Sequence, residues 1–146
     1  MRHPFLPLAV LVFATALARG ETPVPPATPD PATIRELQRS VSRALGSYNS
    51  VDIQGMRREF SQKAPGLTDD GAFRRLFFRY YLEDLGRAKS MRFLKENSNL
   101  DPDRAMLVYE GAFDHWPRVK VSANFTREDG APKLVQLRFE KIETEN

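Results

Sequence analysis

Two stretches of alternating residues near the end of the chain constrain its fold more than any other feature. They occupy residues 116–125 and 135–139, on either side of the turn sequence Glu128-Asp129-Gly130. Alternation with a period of two around an Asp-Gly pair is typical of an antiparallel β-hairpin with one buried face. The side predicted to be buried carries Val119, Val121, Ala123, Phe125, Val135, Leu137 and Phe139.

The residues before this sheet favour helices. Asp30 and Pro31 form a typical helix start, with an N-cap acid and proline at the first helical position. Apolar residues at helical spacing follow, and Gly46 or Asn49 is the predicted end of this first helix. A short second helix is predicted over residues 53–60.

The third predicted helix has the strongest pattern. It begins with Thr68 or Asp69 as its cap and ends at Gly86, and apolar residues cover most of its circumference. Such a helix is expected to be covered on most sides, which predicts a central position. Two further strands, at residues 89–95 and 105–113, complete an order of three helices and four antiparallel strands. This order predicts an α+β fold in which the helices cover one face of the sheet.

The beginning of the chain predicts export. A positive start, an apolar run of about a dozen residues and small residues around Ala18 and Gly20 are typical of a cleaved secretory signal, because a membrane span needs about 20 apolar residues. We therefore expect a secreted or periplasmic protein. The predicted organisation is a signal peptide at residues 1–20, a proline-rich linker at 21–31, an α+β domain at 32–143 and a tail at 144–146.

Composition narrows the classes of chemistry. The chain has no cysteine, which excludes disulfides, thiolate metal sites and a cysteine nucleophile. Its 22 basic and 19 acidic side chains give a net charge of +3, too near balance to predict a nucleic-acid partner. His115 is the only histidine beyond the predicted signal, so no metal site is expected. No cofactor is predicted either, since the glycines do not form a phosphate-binding loop.

Several segments resemble the NTF2-like (cystatin-like α+β) superfamily. They are Tyr48-Asn49-Ser50-Val51-Asp52, the Phe60-Ser61 step, the passage at residues 85–89 and the closing strand at 133–139. The likeness is to small secreted members with a domain of unknown function. It implies that three helices pack on a curved four-stranded sheet and leave a cone-shaped cavity. Val51 stands where many relatives have glycine, which predicts a different turn there.

The superfamily includes enzymes and pure binding modules, so the fold does not decide the function. We expect a non-catalytic binding module, because the predicted inner face of the hairpin carries no acid. A small apolar ligand is predicted to lie in the cone against Phe73, Phe77, Tyr80, Tyr109, Val121 and Leu137. One alternative is a small isomerase or lyase that uses Tyr80 and Asp84 in the cavity. Another is a structural envelope protein without a ligand.

Surface residues suggest two further sites. The resemblance implies dimerisation through the outer sheet face, where the predicted contact residues are Trp116, Arg118, Lys120 and Arg138. Arg75 and Arg79, together with the basic residues of that face, are alternatively predicted to bind an anion or a partner. Asp114 and His115 have general-base chemistry, but their position in a turn predicts a solvated loop.

Overall fold

A computed structural model describes residues 30–101 and 103–144. The predicted signal peptide, nearly all of the proline-rich linker and the last two residues of the tail lie outside these ranges. Within these ranges, three helices precede a four-stranded antiparallel sheet with strand order β1-β2-β3-β4. The α+β class and this element order are as predicted. The strands are β1 (Ala88–Phe93), β2 (Met106–Phe113), β3 (Val119–Glu128) and β4 (Ala131–Lys141).

The predicted hairpin is formed by β3 and β4. Glu128 pairs with Ala131 across the two-residue turn, and Asp129 and Gly130 have φ angles of 53° and 80°. Positive φ at both turn positions gives the strand twist of a tight hairpin, and it explains why the Asp-Gly pair is suited to this position.

One residue of the predicted buried face is wrong. The register of β3 and β4 shifts between Asn124 and Phe125, and Phe125 therefore pairs with Leu134. Leu134 is completely buried, whereas Val135 is only half-buried. A bulge adds one residue to one strand and reverses the alternation beyond it. A strict period of two could not reveal this reversal.

The first helix, α1 (Pro31–Ser50), ends one residue beyond Asn49, the later of its two predicted ends. It continues through Gly46 and ends where Val51 adopts a left-handed conformation, with φ of 55° and ψ of 43°. This conformation usually belongs to glycine at a helix C-terminus. Val51 adopts this left-handed conformation despite its Cβ. A short helix, α2 (Ile53–Glu59), follows with Asp52 as its N-cap.

The third helix, α3, is continuous but changes its winding. It is α-helical at Asp70–Phe73, π-helical at Arg74–Tyr81 and α-helical again at Leu82–Leu85. Its buried aromatic and aliphatic residues recur every fourth position. In an α-helix of 3.6 residues per turn, a four-residue step drifts by about 40° around the axis. The wider π-helical turn counteracts that drift. The residues that it keeps on one buried face are Phe73, Phe77, Tyr81 and Leu85.

An aromatic cluster fills the space between the helices and the sheet. Phe139 of β4 lies 4.7 Å from the ring of Tyr81, 5.2 Å from those of Tyr48 and Phe113, and 6.4 Å from that of Phe77. Side chains of α1, α3, β2 and β4 thus meet at one point. Contacts between aromatic rings at such distances contribute beyond simple area burial.

Two polar contacts fasten α1 to the chain after α3. The hydroxyl of Tyr48 donates to the Gly86 carbonyl at 2.7 Å in the buried core. The amide of Asn49 donates to the carbonyl of Ala88 at 2.9 Å and accepts from its N–H at 2.8 Å. The end of α1 therefore positions the start of β1.

The Tyr48→Phe variant tests this fastening. We expect its free energy of unfolding to fall by about 1–3 kcal/mol, because the buried Gly86 carbonyl loses its donor. The exposed Tyr80 provides the matched control, and Tyr80→Phe should change stability by less than about 0.5 kcal/mol. Urea unfolding measures both. Similar values for the two variants would contradict the role of the Tyr48 hydroxyl.

Val51 permits a second test. A left-handed conformation is unfavourable for a residue with a Cβ, and Val51 loses little burial on truncation because it is largely exposed. We expect Val51→Gly to be more stable than Val51→Ala by about 1 kcal/mol, since only glycine removes the Cβ. Thermal and urea unfolding of both variants measure the difference. An alanine variant as stable as the glycine variant would disprove strain at this residue.

Candidate functional site

A cleft of about 1130 Å³ lies between α3, β4 and the loop of residues 63–67. Residues of β3 and the segment just before β2 also line it. From α3 it is lined by the exposed Arg75 and Tyr80, the half-buried Leu76 and the buried Ala72 and Tyr81. Its floor is apolar and consists of Leu67, Ala72, Leu76, Phe125, Val135 and Leu137.

Positive charge predominates among the polar residues of the cleft. The cations Lys63, Arg75, Arg104 and Arg138 line it, against the single acid Asp103. Arg138 pairs with Glu140 at 2.8 Å. Among the described residues, the other three cations form no ion pair. The cleft therefore favours a ligand with an apolar body and negative charge.

Two tyrosines add hydrogen-bonding groups to the α3 side. Their rings lie 5.2 Å apart, and Tyr80 is 66% exposed whereas Tyr81 is buried. Burial raises the pKa of Tyr81, and the nearby backbone of Phe139 offsets part of that rise. Tyr81 is thus protonated at neutral pH and can donate as well as accept.

The backbone of β4 forms another part of the cleft. This strand lies at the edge of the sheet. Ser61 donates its N–H to the Leu134 carbonyl at 2.8 Å, and Phe60 and Leu134 form an isolated parallel bridge. Within the described ranges, no other backbone hydrogen bond is made to the outer edge of β4 over residues 135–138. These four residues lie along the cleft.

The residues predicted to surround an inner cavity divide into two groups. Phe73, Phe77, Tyr109, Val121 and Leu137 are buried in the hydrophobic core, whereas Tyr80 is not. Tyr80 departs from the expectation because the π-helical turn separates it from the buried face. Of the six, only Tyr80 and Leu137 reach the cleft. Burial without a hydrogen-bond partner for its charged form raises the pKa of Tyr109 to about 12.

The Tyr80 and Asp84 pair of the enzyme alternative lies at the surface. Asp84 accepts from Lys141 at 2.8 Å, and its side chain is about half exposed. Asp84 does not line the cleft. The two side chains therefore lie in solvent-accessible surroundings rather than in a closed cavity.

The four residues predicted to form a sheet interface occupy different surroundings. Trp116 is half-buried, donates to the Ile142 carbonyl at 3.4 Å and lies 4.6 Å from the Lys141 ammonium. Arg118 and Arg92 both bind Glu110, and together they lower the pKa of that carboxyl. Lys120 is exposed, and only Arg138 lines the cleft.

Asp114 and His115 lie in the exposed turn after β2. Asp114 accepts from the N–H of Arg87 at 3.0 Å, and this contact lowers the pKa of its carboxyl. His115 donates its backbone N–H to the Leu85 carbonyl at 2.9 Å. Both residues hold the turn against the end of α3, where a Cβ on Gly86 would approach the Cβ of Asp114 to 2.5 Å.

A smaller cavity of about 610 Å³ lies next to the same loop and touches Arg57, Arg58 and Lys133. Three of its four charged side chains, those of Arg57, Glu128 and Lys133, have partners within the protein. Arg57 binds Asp70 at 2.6 Å, Lys133 donates to the Arg58 carbonyl at 2.7 Å, and the Ser61 hydroxyl donates to Glu128. This cavity offers less unpaired charge than the cleft.

Sequence reasoning found part of the cleft. Arg75 and Arg138 were both assigned to a predicted anion site, and the structure brings them to one cleft. Arg79, Arg118 and Lys120 do not line it. No pattern pointed to Lys63 or Arg104, because each belongs to a loop whose position depends on the folded chain.

Two general findings concern the described ranges. No three histidine, aspartate or glutamate side chains there converge as metal ligands would. None of their helices combines the length and the apolar character needed to cross a membrane.

Comparisons with known proteins give little further guidance. No protein-family model and no curated protein match the chain. One similar solved structure is the "Crystal structure of known function protein from Kribbella flavida DSM 17836". The TM-score is 0.45 at 18% sequence identity, over 71% of this chain and 84% of that chain.

Proposed function

We propose that this chain is an exported, non-catalytic binding module whose ligand site is the cleft between α3 and β4. The single observation that carries the proposal is the combination of an apolar floor with cations that lack ion-pair partners among the described residues. The ligand class that fits is an elongated molecule with an apolar body and an anionic group. Export is inferred from the first twenty residues alone.

The location of the site differs from the cone interior expected from the superfamily. Phe77, Val121 and their neighbours are fully buried by protein side chains, which leaves the cleft as the more open apolar surface. We retain an NTF2-like fold, with a curved sheet, as part of the proposal. Its support is the order of helices before a four-stranded meander.

Dimerisation through the outer sheet face is a weaker proposal. Arg92 and Arg118 pair with Glu110, and Arg138 pairs with Glu140, within the same chain, while Lys120 adds a further positive charge. Two copies meeting through this face would bring like charges together, which is unfavourable unless each is paired.

Matched fluorescent probes test the proposed ligand class. Anilinonaphthalene sulfonate carries apolar rings and one negative charge, whereas phenylnaphthylamine has the same rings without the charge. We expect the sulfonate to bind more tightly. Arg75→Ala should weaken sulfonate binding by about threefold to tenfold, because one cation near the anion contributes about 1 kcal/mol. Its effect on the uncharged probe should be small.

The control is Arg79→Ala, which removes an exposed arginine of the same helix outside the cleft. This variant should bind both probes as the unmodified protein does, and circular dichroism verifies that both variants are folded. Equal losses from Arg75→Ala and Arg79→Ala would show that net charge rather than the cleft determines binding. Failure of both probes to bind would contradict the proposed function.

A further inference from the structure

The outer edge of β4 has backbone groups without a backbone partner over residues 135–138 among the described residues. Residues 135–138 lie between two contacts on this edge. The Ser61 N–H donates to the Leu134 carbonyl at one end, and the Tyr81 side chain forms a hydrogen bond with the Phe139 backbone at the other. At about 3.3 Å per residue, the open edge is about 13 Å long. An exposed strand edge is a ready template for pairing with another extended segment.

The chain itself begins such a pairing. Phe60 forms a parallel bridge with Leu134, and Ser61 adds one backbone hydrogen bond before the chain turns away at residues 62–63. Residues 135–138, with which a continued fifth strand would pair, line the cleft. Over residues 135–138, the described part of the chain gives this edge no further backbone partner.

The lining of the cleft fits the two sides of an added strand. Successive side chains of a strand point in opposite directions. On β4 itself Leu137 is buried and Arg138 is exposed, so one set would adjoin the buried apolar side of the strand and the other its basic outer side. Apolar residues alternating with acidic residues satisfy both sides.

The charge of the cleft disfavours a second copy of this chain as the occupant. Edge-to-edge pairing of β4 with itself would bring Arg138 and Arg75 near their equivalents in the other copy. Like charges placed opposite one another in a sheet are destabilising. The rim instead complements a partner of negative charge.

We propose that the cleft binds an extended acidic peptide segment, which pairs through its backbone with residues 135–138 of β4 as an added strand. This inference rests on the proposed function and specifies its partner. Backbone hydrogen bonds would supply affinity, and the alternating apolar and acidic side chains would supply selectivity.

Labelled hexapeptides with the repeat Glu-Val test the proposal by fluorescence anisotropy with the full chain. We expect the acidic peptide to bind at least tenfold more tightly than a Lys-Val peptide of equal length. Arg75→Glu should abolish this preference, whereas Arg79→Glu should leave most of it. A Lys-Val peptide that binds as tightly as the acidic one would overturn the proposal.

Backbone methylation provides the sharper test. In a strand, the N–H groups of alternate residues point to the same side, so only one alternate set can face β4. We expect N-methylation of one set, either the three Glu or the three Val residues, to weaken binding at least tenfold, and methylation of the other set to change it less than threefold. Equal effects of the two methylated peptides would rule out pairing with the strand edge.

The proposed binding module and the proposed peptide partner predict different patterns of negative results. If the sulfonate probe binds and no peptide does, the peptide partner is wrong and the binding module stands. If neither the probe nor any peptide binds, both proposals fail. Peptide binding that tracks charge but is insensitive to methylation overturns the added strand and leaves the cationic cleft as the binding site.

Discussion

The structure depends on keeping four large side chains of α3 on one face. Phe73, Phe77, Tyr81 and Leu85 are each four residues apart, a spacing that a regular α-helix spreads around its axis. The π-helical stretch at Arg74–Tyr81 aligns them against the sheet. A π-helical turn is rare and often marks a functional region. Here its cost is offset by burial of the aromatic face, and its consequence is the exposed Tyr80 at the cleft.

Phe139 shows how this helix face is tied to the rest of the core. Its ring contacts aromatic side chains from α1, α3 and β2, so these elements share one packing point. The hydroxyl of Tyr48 satisfies the Gly86 carbonyl beside the same cluster. Gly86 is suited to this position because its φ of 78° and its closeness to Asp114 leave no room for a Cβ. The apolar cluster and the polar fastening thus reinforce each other.

Local patterns predicted the elements well, and their failures have physical causes. The Asp129-Gly130 turn and the alternation of β3 are encoded locally, so they could be read directly. The bulge near Val135 and the exposed position of Tyr80 were missed because each requires a departure from the ideal period. The first helix ends at Ser50, within one residue of the predicted Asn49, because buried residues such as Tyr48 continue its apolar face past Gly46.

The cleft was only partly predictable, because its charges come from separate parts of the chain. Arg75 belongs to α3, Arg138 to β4, and Lys63 and Arg104 to loops. The sequence indicates on which face of α3 or β4 each arginine lies, but it does not give the distance between those faces in the folded chain. Folding places these cations along one cleft, and three of them have no ion-pair partner among the described residues, although the chain is close to neutral overall. Their mutual repulsion opposes folding, and an anionic partner would relieve it. That relief links the packing of α3 to the binding function we propose.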